Sequence, residues 1–272
     1  MSSEAWLSPA VPLPRPAAAH VRVLGSRAAE ASLAAELAQE RHIAIELQHA
    51  ILPLHDEPFD LPGLRTMVRY LPASRASRVG GDWYITAEMP DGSVLLAIGD
   101  VGGHGLEAAA AMARLRGALA GLAITGASPD RLVGWLNALV RHVAPEHTAS
   151  VMAGYFSPAE LTYTWAQAGH PLPVLVRGAW ARALDKPEGI LLGAGEAPYQ
   201  LAVTQLRPGD LLLLYTDGLI ERRDRPIDVG LVRLVSAVRG ITDPERAISA
   251  ALGSLGSTDL EDDTCVVALA VR

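Results

Sequence analysis

Four acidic segments stand where short apolar runs meet glycines: Val79-Gly80-Gly81-Asp82-Trp83, Ile98-Gly99-Asp100-Val101-Gly102-Gly103-His104-Gly105, Leu214-Tyr215-Thr216-Asp217-Gly218 and Glu261-Asp262-Asp263-Thr264-Cys265-Val266-Val267. Each puts a carboxylate at the edge of a strand-like run, where core ends and loop begins. A partly buried carboxylate without a partner is expensive, so four of them call for a compensating charge. Oxygen ligands, without Cys or His at zinc spacing, favour Mg2+ or Mn2+. Two such ions can share a water, lower its pKa and hold phosphoryl oxygens for in-line attack, which is the chemistry of phosphoester hydrolysis. Glycine beside each acid lets metal and substrate approach the backbone. Taken singly, Asp217-Gly218 reads as a turn and Asp262-Asp263 as a solvated pair or cap. The set carries the inference.

The elements that must position these acids are legible as short β-like runs punctuated by turns. Strands are expected over residues 66–71, 83–87, 94–98, 151–156, 161–167, 173–176, 199–203, 211–215 and 265–271, with Asp91-Gly92 as a hairpin turn. Two long helices interrupt them: residues 106–123, directly after Gly105, and residues 129–143, entered from Ser128 as N-cap with Pro129 at the first helical position. A further helical stretch holds Leu231, Leu234 and Val235, then residues 245–252. Strands clustered around blocks of helix imply an α+β sandwich with helices outside.

Ahead of this body, residues 1–25 carry Pro9, Pro12, Pro14 and Pro16 and read as a flexible tail. Residues 26–52 contain no Pro or Gly, and Leu33, Leu37, Ala44, Leu47 and Ile51 recur at helical spacing. This stripe packs either on its own domain or on a second subunit, giving a homodimer through residues 26–52. Pro53, Pro58 and Pro62 then mark an extended connector.

The 272 residues are 50% hydrophobic with a mean hydropathy of +0.21, enough apolar material for one large domain with a short extension. Twenty-three Lys and Arg against 30 Asp and Glu leave a net charge of −7, which argues against a nucleic-acid partner. One cysteine, Cys265, forms no internal disulfide. No apolar run reaches membrane-helix length and the N-terminus lacks a basic region before an apolar one, so no membrane partner and a cytoplasmic location are expected.

The motifs Val79 to Tyr84, Ile98 to Leu106, Ala168 to Pro171, Tyr215 to Asp224 and Asp262 to Val267 occur in the order seen in the metal-dependent protein phosphatase (PPM, type-2C-like) family, and the chain resembles its bacterial SpoIIE-type branch. Ile43 to Pro53 resembles the segment that precedes the catalytic domain there. The resemblance implies a four-layer αββα sandwich, two antiparallel sheets flanked by helices, with an N-terminal helical extension. It places a phosphatase domain at residues 63–272 and a helical regulatory linker at 26–62. It also implies two divalent cations, Mn2+ or Mg2+, and a metal-activated water as nucleophile. By position, Asp100 would bridge both metals with the Val101 carbonyl as a further ligand. Asp217 and Asp262 would complete one metal, with Asp263 as second choice, and Asp82 would serve the other. The expected substrate is a phosphorylated anti-anti-sigma-factor-like protein, and an upstream regulatory protein is a further expected partner. Alternatives are a catalytically weak or inactive phosphatase-fold binding protein and a metal-dependent hydrolase of small phosphoesters.

The chain departs from the family where Gly81-Asp82-Trp83-Tyr84 runs into Ile85 instead of another Asp, and where Gly102 stands two residues after Asp100. His104, directly before a helix, shapes the loop or touches substrate; Gly102, Gly103 and Gly218 are further candidates for substrate contact. His170, in Ala168-Gly169-His170-Pro171, reads as turn geometry. Arg75, Arg78, Arg114 and Arg116 flank the glycine motifs and read first as solvated surface, second as phosphate donors.

Overall fold

The computed structural model describes residues 57–72, 80–222, 226–254 and 262–272, with individual positions between 32 and 55. The chain divides into residues 1–39 and residues 40–272. In the first unit, positions 32, 33, 35, 36, 38 and 39 are helical and exposed. The tail at 1–25, together with Arg75 and Arg78, lies outside the described residues.

In the second unit the strands in chain order are β1 (Phe59–Leu61), β2 (Leu64–Leu71), β3 (Trp83–Glu88), β4 (Val94–Val101), β5 (Ala149–Ser157) and β6 (Thr162–Ala168). They continue with β7 (Val174–Arg177), β8 (Trp180–Ala183), β9 (Ala202–Gln205), β10 (Leu211–Tyr215) and β11 (Thr264–Val271). The helices are α1 (Leu106–Ala123), α2 (Pro129–Val143), α3 (Ile227–Val238) and α4 (Pro244–Gly253). One antiparallel sheet has the order β1-β2-β11-β10-β7-β8 and the other β3-β4-β5-β6-β9.

The run Leu211 to Tyr215 shows why some strands read as unbroken apolar segments. Leu212 and Leu214 join the core between the sheets with Val267 and Leu269, while Leu211, Leu213 and Tyr215 pack with Leu234 and Val238 of α3 and Ile248 of α4. A strand buried on both faces has no polar alternation to show. On the second sheet, Met112, Leu115 and Leu119 of α1 and Leu132, Leu136 and Val140 of α2 are all buried, and these helices lie against β3 to β6. The result is the expected four layers, helix, sheet, sheet, helix, each buried leucine stabilising the fold by roughly 1.5–3 kcal/mol.

Four local details differ from the sequence reading. The strand expected at 199–203 is β9 and starts at Ala202, because Gln200 N donates to Glu188 O (3.0 Å) and holds residues 199–200 against their own loop. The proline connector contains β1, an edge strand joined to β2 through Gly63 at φ 72°, where proline is tolerated because an outer strand needs no full ladder. β8, with the sequence Trp-Ala-Arg-Ala, carries no strong β pattern and forms because the turn at Gly178 folds it onto β7. Ser128 is the N-cap of α2, yet its side chain makes no capping hydrogen bond.

Residues 51–53 are held by the body: Leu52 is 2% exposed, and the Tyr84 hydroxyl donates to the Pro53 carbonyl. No helix among the described residues is long and apolar enough to cross a membrane.

Candidate metal centre

β4 delivers Asp100 as its penultimate residue and Val101 as its last. Asp100 pairs directly with Ser150 of β5, so their side chains share one face. The Gly80-Gly81 turn brings Asp82 alongside, since Val101 N donates to Gly81 O at 3.2 Å. A Cβ on Gly81 would lie 2.2 Å from the Val101 carbonyl oxygen, so only glycine lets the two motifs touch. Asp82 is 2% exposed, and its Oδ2 accepts a 2.7 Å hydrogen bond from Thr216 Oγ1.

Thr216 follows β10, and Asp217 opens a 3-10 helix, Asp217–Leu219. Asp217-Gly218 is thus a turn as well as a site candidate. Gly218 crosses the start of β11 so closely that a Cβ would lie 2.0 Å from Asp263 O. The adjacent acids Asp262 and Asp263 divide their duties. Asp263 is buried and anchors the opposite loop, accepting from Gly80 N at 2.8 Å and from the Tyr70 hydroxyl. Asp262 is exposed and accepts from Asp263 N at 2.9 Å.

The electrostatics tie these acids together. Burial, then the negative charge of Asp217 and Asp262, pushes Asp100 up to about 7, and a hydrogen bond from Asp82 opposes the shift. Asp217 is pushed up to about 6 by burial, then by Asp262 and Glu221. Burial first, then Asp100, Asp263 and Asp217, raise Asp82 well above the usual carboxylate range against the Thr216 bond.

Among the described residues no three His, Cys, Asp or Glu side chains are gathered closely enough to hold a metal ion. The donor set nonetheless fits a hard divalent cation, being oxygen only, desolvated and acted on mainly by further carboxylates. A cation would restore the ionised form that burial disfavours.

Beside the acids opens a cavity of about 560 Å3 whose lining includes Asp100, Gly102, Ser150, His170, Tyr215 and Asp217. Gly102, Gly103 and His104 are exposed at the end of β4, and of these Gly102 is on the cavity wall. Ile85 is 4% exposed within the core, so its position adds nothing to the acidic cluster. Arg116 is directed at the protein, donating to Tyr84 O at 3.0 Å.

His170 exceeds its reading as turn geometry. It is 3% exposed, with Nδ1 2.7 Å from Ser150 Oγ and Nε2 3.2 Å from Tyr215 O. A carbonyl only accepts, so Nε2 carries the hydrogen and Nδ1 accepts from Ser150. Burial lowers the imidazole to about 3, keeping it neutral. Its two partners lie 20 and 45 residues away, and the local signal was only that a histidine sat in a glycine-proline turn.

A family model described as Stage II sporulation protein E (SpoIIE) matches residues 90–272. The chain belongs to the SpoIIE family. This SpoIIE-family chain is 26% identical over 194 residues to the phosphoserine phosphatase RsbU of Bacillus subtilis, covering 69% of this chain and 55% of RsbU. It matches the structure of the RsbU and RsbW domains of Rv1364c from Mycobacterium tuberculosis at 31% identity and a TM-score of 0.69, covering 78% of this chain and 61% of that one. It also matches RsbX, solved in complex with magnesium, at 16% identity and a TM-score of 0.61, covering 79% and 99% of the respective chains. The chain thus spans less than two thirds of RsbU and of the Rv1364c chain.

Proposed function

We propose that this SpoIIE-family chain is a divalent-cation-dependent phosphatase acting on phosphorylated serine or threonine in a protein, the favoured substrate being an anti-anti-sigma-factor-like regulator. The observation that supports the reading is that the pKa values of Asp82, Asp100 and Asp217 are raised through one another's charges and that of Asp262, with Asp100 and Asp217 lining a cavity of about 560 Å3. RsbU, a phosphoserine phosphatase, and RsbX, which holds magnesium, support the same chemistry.

Asp82, Asp100, Asp217 and Asp262, with the Val101 carbonyl, would hold two cations, Mn2+ or Mg2+, and Asp263 positions the Gly80 loop. The cations supply Lewis-acid activation of a water and neutralise phosphoryl oxygens. The protein itself orients and desolvates. Thr216 fixes the Asp82 carboxylate, and glycines at 81 and 218 draw the strand ends together. Hydrolysis then places one oxygen of water on phosphorus and returns the serine oxygen with a proton.

Residues 26–62 are proposed as a regulatory linker, open to an upstream protein or to a second copy of the chain. Leu33 and Ile43, 58% and 47% exposed, support a role in contact. The test is hydrolysis of an aryl phosphate and of a phosphoprotein panel with Mn2+, with Mg2+ and with chelator. Metal-dependent turnover of both is expected. No turnover would favour a binding protein, and turnover of the small ester alone would favour a small-molecule hydrolase.

A further inference from the structure

The cavity beside the acids is larger and more apolar than a phosphoryl group needs. At about 560 Å3 it falls within the ~300–1,000 Å3 of sites that enclose a whole small ligand. Its lining also includes Leu172, Leu191, Ile220, Ile227 and Leu231. Leu191 and Ile227 both line it and are 40% and 47% exposed. Exposed aliphatic surface continuous with a reactive centre marks contact with a partner.

One wall is rigidly built. The segment bearing Leu191 is fastened by Gln167 Nε2 to Pro187 O at 2.7 Å, by Leu192 N to Ala149 O at 2.9 Å, and by Asn137 to Gly193 N and Gly195 O, both at 2.9 Å. Leu191 itself closes over Gly169, where a Cβ would lie 2.6 Å from its Cδ2 and φ is 64°. The first turns of α3 contribute Ile227 and Leu231 to the lining. Lys186, exposed, lines the same cavity and is the only lysine in a chain whose other 22 basic residues are arginine. A flexible point charge suits an anion that must be met from changing angles, where a planar guanidinium suits a fixed fork. Glu221 and Asp228, both exposed, also line the cavity.

We infer that this cavity seats an aliphatic side chain of a phosphoprotein next to its phosphorylated serine or threonine, and that Lys186, which lines the same cavity, meets the phosphate. The inference rests on the reading under Proposed function and adds the sequence preference of the substrate. The phosphorylated residue lies toward Asp100 and Asp217, its aliphatic neighbour between Leu191 and Ile227. The aliphatic lining favours leucine over aspartate beside the phosphoserine.

The experiment uses the full chain with Mn2+ or Mg2+ and phosphoserine peptides in which one leucine, or one aspartate, is walked through the positions flanking the phosphoserine. At one register leucine should raise kcat/KM about tenfold over a serine-flanked parent, the discrimination a hydrophobic pocket supplies. Leu191→Ser and Ile227→Ser should each bring that preference to within about twofold. Lys186→Glu should lower peptide kcat/KM relative to Lys186→Arg. Fluorescence anisotropy of a labelled peptide carrying a non-hydrolysable phosphonate gives the same ranking without turnover. If the wild type hydrolyses aryl phosphate yet leucine confers no preference at any register, or the preference survives in both serine variants, the docking inference is overturned and the phosphatase reading stands. If neither aryl phosphate nor any peptide is hydrolysed and the phosphonate does not bind, both fall.

Discussion

Ser150 Oγ lies 2.7 Å from His170 Nδ1, in the loop between β6 and β7. Ser150 belongs to β5 and pairs with Asp100, while the far nitrogen of the same ring reaches the carbonyl of Tyr215, two residues before Asp217. The imidazole therefore spans the gap between the strand ends that carry two of the acids. His170→Ala would leave a hydroxyl and a buried carbonyl without partners. A loss of about 1–3 kcal/mol is expected, read from urea denaturation, with a weaker metal-induced rise in Tm than in the wild type.

Acidification tests the same ring. Its ordinary value is 6.5, and burial lowers it to about 3 in the native protein. Between these values the unfolded chain binds a proton that the native one refuses, so this group's contribution is present above 6.5 and is lost as pH falls toward 3. The raised acids Asp82, Asp100 and Asp217 act in the opposite sense. The difference between wild type and His170→Gln isolates the histidine, and at about pH 5 it should reach roughly 2 kcal/mol relative to neutral pH. A pH-independent difference between the two proteins would contradict the buried neutral ring.

Asp100→Asn and Asp217→Asn should each abolish metal-dependent hydrolysis. In chelator both variants should melt at a higher temperature than the wild type, because each removes one charge from a desolvated cluster of like charges. The increase in Tm on adding Mn2+ should shrink in parallel. Wild-type rates in either variant would overturn the site assignment.

Gly81→Ala and Gly218→Ala drive a methyl group into backbone oxygens at 2.2 and 2.0 Å. Each should destabilise the protein by about 1–3 kcal/mol and weaken metal binding, measured by calorimetry. Gly117→Ala is the control. It is exposed in α1 with nothing within 4 Å of the new Cβ, and should stabilise by roughly 0.5–1 kcal/mol through helix propensity.

Leu52→Ala tests where the folded body starts. The side chain is 2% exposed and belongs to the main core, so a loss of about 2–5 kcal/mol is expected in urea denaturation. An unchanged midpoint would place Leu52 outside the cooperative unit.

The limits of α1 and α2 could be read directly from the chain, because Gly105 and the Ser128-Pro129 pair punctuate apolar helical periods. β10 was equally plain, a five-residue apolar run ended by Thr216-Asp217-Gly218. β1 and β8 were not legible: they are short edge strands of weak pattern, stabilised by pairing with β2 and β7 and not by their own composition. Among the acids, type and strand-end position were visible. The contrast between buried Asp263 and exposed Asp262 was not, since it depends on Gly80 and Tyr70 almost two hundred residues earlier.

Sequence alone determined the local elements and the kinds of residue at their ends, because backbone period, turn chemistry and capping act over a few neighbours. Tertiary structure alone decided which ends meet. The pairing of β2 with β11, the hydrogen bond from Thr216 to Asp82, and the seating of His170 between Ser150 and Tyr215 join residues distant in the chain. Such contacts are selected by burial of the shared core, which rewards one global packing of strands and leaves no mark on any single segment.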